Sequence, residues 1–123
     1  PPGSGGGSDA EAFGGITMPF FSITGTRDAA PITPQVTAAD RERPFRAMPP
    51  GGKYLLVMDG ANHAAFSGQN SVRSQGTAPE VYETVVRATT LFWKATLLGD
   101  ARAKESLAAT GTTLRPADRF EMR

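Results

Sequence analysis

At 123 residues the chain has the size of one domain or part of one, and its net charge of +1, from 13 basic against 12 acidic residues with no basic stripe, argues against a nucleic-acid partner. Cysteine is absent, which excludes disulfides, thiolate metal sites and a cysteine nucleophile but leaves the compartment open. No run approaches the ~20 apolar residues of a transmembrane helix, and no signal peptide is visible.

Glycine (14) and proline (10) are frequent and cluster in PPGSGGGS, GGITMP and MPPGG, so the chain reads as loop-rich. The opening PPG in place of Met implies that the true N-terminus lies outside this sequence. Residues 1–8 suit neither helix nor strand interior. DAEAF (9–13) fits one helical turn, capped by Asp9 and stopped by Gly14 and Gly15. PFFSIT (19–24) is aromatic and β-branched, and reads as a short buried strand. A loop follows, GTRDAAPITPQ. Thr37 and Asp40 have capping-box spacing, which predicts a short helix to about Met48 that Pro44 must kink or restart.

KYLLVM (53–58) reads as a second strand, followed by a polar stretch over 59–76. Thr77, Ala78, Pro79 and Glu80 predict a helix start with Thr77 as N-cap. Val81, Val85, Ala88, Phe92 and Ala95 then mark one apolar face, ended by Gly99. Asp100 is placed to cap a further short helix, ARAKESLAA, that stops at Gly111. Residues 110–123 read as a polar, loosely held tail after a unit spanning 1–109. No internal repeat is present.

Strand, helix, strand, helix, helix is an α/β order that implies parallel pairing with right-handed crossovers. Neither apolar run alternates, as befits strands covered on both faces. Two strands are few for a doubly wound sheet, so neighbours are expected beside PFFSIT.

In open α/β sheets, ligands bind beyond the carboxyl ends of the strands. Asp28 follows the first strand in GTRD, and His63, the sole histidine, follows the second in DGANH, 35 residues later. A carboxylate near an imidazole Nδ1 fixes its tautomer and stabilises the imidazolium, which makes two thirds of a hydrolytic triad. Asp40 reads better as a helix cap. Asp59 is expected to bond loop amides.

MPFFSITGTRD followed by GGKYLLVMDGANHAAF resembles the C-terminal part of an α/β-hydrolase, near the dienelactone hydrolase-like esterases. The resemblance spans roughly residues 1–109 and implies that PFFSIT and KYLLVM are the last two strands of that doubly wound sheet. It further implies Asp28 as the triad acid, His63 as the base, and TAPEVYETVVRATTLFWKATL as the last helix. The chain order of such a triad is Ser, acid, His. It implies an ester substrate and no cofactor.

The family's strand–G-x-S-x-G–helix elbow is not in this sequence. Gly6, Gly7, Ser8, Asp9 and Ala10 imitate it, but no strand precedes them and only twenty residues separate Ser8 from Asp28. Ser67 lacks an elbow too. The serine and the oxyanion donors are therefore expected on an N-terminal part outside this chain, which alone should be inactive.

Phe66 suits either an acyl or leaving-group pocket or loop packing. Arg27 reads as a solvated cation. Leu91, Phe92 and Trp93 read as core. No His/Asp/Glu cluster has metal-ligand spacing, and PPGSGGGS lacks the lysine of a phosphate loop. Two rival readings stand beside the esterase: a non-catalytic binding or structural module, and another chemistry on the same fold, such as dehalogenation.

Overall fold

The computed structural model describes residues 7–29, 35–67 and 77–123. The segments 1–6, 30–34 and 68–76, on which parts of three expected loops fall, lie outside the described residues. Four α-helices are seen among the described residues: α1 (Asp9–Phe13), α2 (Arg43–Ala47), α3 (Pro79–Leu97) and α4 (Ala101–Ala108). They accompany three strands: β1 (Phe20–Arg27), β2 (Lys53–Asn62) and β3 (Arg119–Met122). Short 3₁₀ turns cover Ala39–Glu42, His63–Ser67 and Thr110–Thr113. No described helix is long and apolar enough to cross a membrane.

The sheet order is β1-β2-β3, with β1 parallel and β3 antiparallel to β2. β2 is thus the central strand, and its run of apolar residues has a direct cause. Leu56 and Met58 pack with Val81 and Ala88 of α3 on one face. Leu55 and Val57 pack with Phe45 of α2 on the other. A strand covered on both sides has no polar face to alternate with. On the α3 side, Phe21, Tyr54, Phe92 and Phe120 make an aromatic cluster with ring centroids 5.6–6.3 Å apart.

The third strand corrects the expectation of a loosely held tail, and with it the expectation that the two apolar runs are the last strands. Residues Arg119–Met122 alternate charged and apolar side chains, which is the period of a strand. Phe120 joins the core facing α3. On the opposite side Arg119 pairs with Glu42 at 2.6 Å, and Glu121 with Arg46 of α2 at 2.5 Å. Four residues are too few for that alternation to stand out in a sequence.

Helix starts were also displaced in two places. Ser8, not Asp9, caps α1 through a reciprocal box with Glu11, which leaves Asp9 to pair with Arg43 at 2.6 Å. Ala78, not Thr77, is the N-cap of α3. The residue before a proline is pushed into the extended region, and Ala78 lies there at φ −62°, ψ 139°. Asp40 behaves as read, accepting from the Thr37 amide at 2.8 Å, and the helix restarts as α2 at Arg43, with Pro44 in its first turn. Asp100 caps α4 by accepting from the Ala103 amide at 3.0 Å. On α3, Phe92 is buried but Trp93 is half exposed, against the expectation of core packing for both.

The network between α2 and β3 sets a pH response. Burial raises the Glu42 carboxyl, but hydrogen bonds from Arg119 and Arg46 outweigh it and hold the group below its ordinary value. Hydrogen bonding from Arg46 holds Glu121 down in the same way. A carboxyl depressed in the folded state stabilises the fold above its unfolded value and loses that contribution as the pH falls through the folded one. Thermal stability is therefore expected to be level above about pH 5 and to decline as acid passes below about pH 4. A series of melts in buffers of fixed ionic strength checks this; a fold equally stable at pH 3 and pH 7 would remove the network as a contributor.

Candidate active site

Both strands run further than their apolar segments. β1 continues through Gly25, Thr26 and Arg27, and β2 through residues 59–62, so DGAN is strand and not loop. Asp28 and His63 each follow directly on a strand end. What brings them together is an irregularity in the pairing. Gly25 lies opposite Met58, but Arg27 lies opposite Asn62, so β2 carries two extra residues across this step. Such a bulge bends the strand and re-aims the side chains beyond it.

The glycines and alanine of the two segments make the bend possible. Gly60 takes φ +75°, a left-handed conformation that disfavours side chains. At Gly25 a Cβ would stand 2.1 Å from the Ala61 carbonyl oxygen, so only hydrogen fits there. The bulge is then pinned from several directions. The Thr26 hydroxyl accepts from the Gly60 amide at 2.8 Å and donates to Asp59 Oδ1 at 3.1 Å. Asp118 accepts from the Asp59 amide at 2.8 Å, and Arg115 donates to the Asp59 carbonyl at 2.9 Å. Burial raises the Asp118 carboxyl, yet hydrogen bonds from Arg115 and the Asp59 amide keep it below its ordinary value. Asp59 therefore bonds Thr26, in place of the loop amides expected of it.

At the end of this scaffold, His63 Nδ1 and Asp28 Oδ1 are 3.0 Å apart. The Asp28 side chain is 6% exposed and that of His63 is 65% exposed. The acid is thus walled in while the imidazole faces solvent. A carboxylate only accepts, so with Asp28 in that form the contact is a hydrogen bond from the Nδ1–H tautomer of a neutral imidazole, the tautomer that leaves Nε2 as an acceptor. No described residue bonds Nε2.

Asp28 has further partners that the sequence did not point to. The Thr24 hydroxyl donates to Oδ2 at 2.9 Å. Arg41 Nε donates to the Asp28 carbonyl at 3.2 Å and lies 3.8 Å from Oδ1. The Asp28 amide donates to the Gly25 carbonyl at 3.0 Å. His63 begins a 3₁₀ turn that Asn62 caps by accepting from the Ala65 amide at 3.0 Å.

Phe66 is partly buried against the cluster of Leu56, Met58, Ala61, Ala65, Val81 and Ala88, so loop packing occupies much of its ring. Arg27 is exposed. The Ser8 hydroxyl is engaged at the start of α1, accepting from the Glu11 amide at 3.3 Å. Among the described residues no three His, Asp or Glu side chains gather as metal ligands would. Compared with protein-family models, curated proteins and solved structures, the chain matches none.

Proposed function

We propose that this chain supplies the acid and the base of a serine carboxylic-ester hydrolase of the α/β-hydrolase kind. The observation that carries the reading is the Asp28–His63 hydrogen bond of 3.0 Å, made at the carboxyl ends of two adjacent parallel strands with the acid buried and the base open. That is where open α/β sheets bind ligands, and it is the polarity a general base requires.

The chemistry follows from the atoms. His63 Nε2 takes the proton of a serine hydroxyl as that oxygen attacks the ester carbonyl. The imidazolium, stabilised by the Asp28 carboxylate, passes the proton to the departing alcohol. Water then releases the acid from the acyl-enzyme by the same route. The serine and the oxyanion donors are contributed by residues outside these 123. Phe66, at the edge of the His63 turn, is proposed to present its uncovered part to the acyl or leaving group.

The test uses the chain and the longer polypeptide that contains it. A fluorophosphonate probe is expected to label one serine of the longer polypeptide, outside residues 1–123, and to leave the isolated chain unlabelled. The isolated chain is expected not to turn over a p-nitrophenyl ester. Labelling of Ser8 or Ser67, or turnover by the isolated chain, would place the nucleophile inside it and overturn the assignment. An aspartate at the position of the serine would favour dehalogenation.

A further inference from the structure

We propose that Thr24 is the positioning residue of the Asp28–His63 pair, its hydroxyl fixing the rotation of the Asp28 carboxylate and so selecting the Nδ1–H tautomer of His63. The proposal rests on the reading of His63 as a general base, which needs a bare Nε2.

The last torsion of an aspartate is broad and has no strong preference of its own. Its setting must come from donors. Oδ1 meets His63 Nδ1 at 3.0 Å and Oδ2 meets the Thr24 hydroxyl at 2.9 Å, so the two oxygens are held from opposite partners. Thr24 is well suited to hold its end. It lies within β1, is 3% exposed, and as a β-branched residue has a stiff first torsion.

A competitor stands close by. Arg41 Nε is 3.8 Å from Oδ1, beyond hydrogen-bond length but within ion-pair range. A guanidinium forms its strongest contacts with a carboxylate face-on through two nitrogens. Without the Thr24 hydroxyl, Oδ2 is left buried with no donor, a costly state. Turning toward Arg41 relieves it, and that turn withdraws Oδ1 from His63. The imidazole, 65% exposed, then exchanges tautomers as it does in water. In the tautomer with hydrogen on Nε2 it cannot accept a proton from a nucleophile.

The sole histidine makes the consequence directly visible. In the 15N-labelled chain, a long-range proton–nitrogen correlation of the imidazole shows a single set of signals and reads the tautomer. The Nδ1–H form is expected to dominate in the parent chain. Thr24→Val and Thr24→Ala are expected to lose that dominance and to approach the pattern of Asp28→Ala, while Thr24→Ser retains it. Valine keeps the shape of threonine and alanine removes it, so a folding failure of either leaves the other to be read.

Retention of the Nδ1–H pattern in the valine and alanine variants, with its loss in Asp28→Ala, overturns the role of Thr24 and leaves the pair standing. Retention in Asp28→Ala as well overturns both. Failure of the hydrolase reading is separate: the longer polypeptide then lacks esterase activity while the tautomer still follows Thr24.

Discussion

If the proposed esterase reading holds, replacing His63 by alanine in the longer polypeptide is expected to lower kcat for an ester substrate by about 10⁴-fold or more, the scale of losing a triad member. The fold should be nearly untouched, because the His63 side chain is 65% exposed and belongs to no core cluster. Melting temperature and activity should therefore separate cleanly in this variant. Steady-state kinetics with a p-nitrophenyl ester, run beside a thermal melt, measure both. Activity within a few-fold of the parent would end the triad assignment. Asp28→Asn is expected to reach a similar loss, since an amide can donate to Nδ1 and so favour the wrong tautomer. Asp28 differs from His63 in being buried and bonded to Thr24, with Arg41 beside it, so its replacement also perturbs the end of β1.

The second large effect is structural and acts on the site from beneath. Gly25→Ala is expected to destabilise the fold by about 3 kcal/mol or more, the upper range for a forced overlap with unyielding surroundings. The added methyl would meet the Ala61 carbonyl carbon and oxygen, both backbone, at 2.7 and 2.1 Å. No side chain can swing away to relieve it. β1 and β2 would have to part at the bulge, and the Asp28–His63 bond lies directly beyond. Urea denaturation is the measure of stability, and the imidazole spectrum reports the hydrogen bond. Unchanged stability would mean that the close approach of the two strands is not maintained in solution.

Much of this is written in short stretches of sequence. PFFSIT and KYLLVM announce strands because aromatic and β-branched residues without polar alternation suit a strand covered on both faces. Gly99 and Asp100 announce the break between α3 and α4, since the features that end and start helices are local. The proximity of Asp28 and His63 was legible for a related reason. Each follows a strand end, and parallel pairing brings the two carboxyl ends to the same edge of the sheet.

Other features could not be read locally. Thr24 looks like any β-branched strand residue until Asp28 turns back to meet its hydroxyl. Arg41 looks like a surface cation in ADRE until the 3₁₀ turn is laid against the end of β1. Asp118 and Arg115 reach Asp59 from 59 and 56 residues away. RFEM becomes a strand because the second edge of β2 is there to receive it.

By itself, then, the sequence determined the break between α3 and α4, the apolar parts of the two long strands, and the order in which an acid and a base follow strand ends. These rest on contacts a few residues apart, where backbone preference and side-chain period dominate. The stop of α4 was not among them: the helix ends at Ala108, and the Gly111 expected to stop it lies in the 3₁₀ turn that follows. Only the tertiary structure decided that β3 closes the other side of β2, that Gly25 and Ala61 meet at a bulge, and that Thr24 and Arg41 flank the Asp28 carboxylate. Each of those depends on which strand edges and buried polar groups come to face one another once the chain is packed, and a buried carboxylate takes its donors from wherever the packing supplies them.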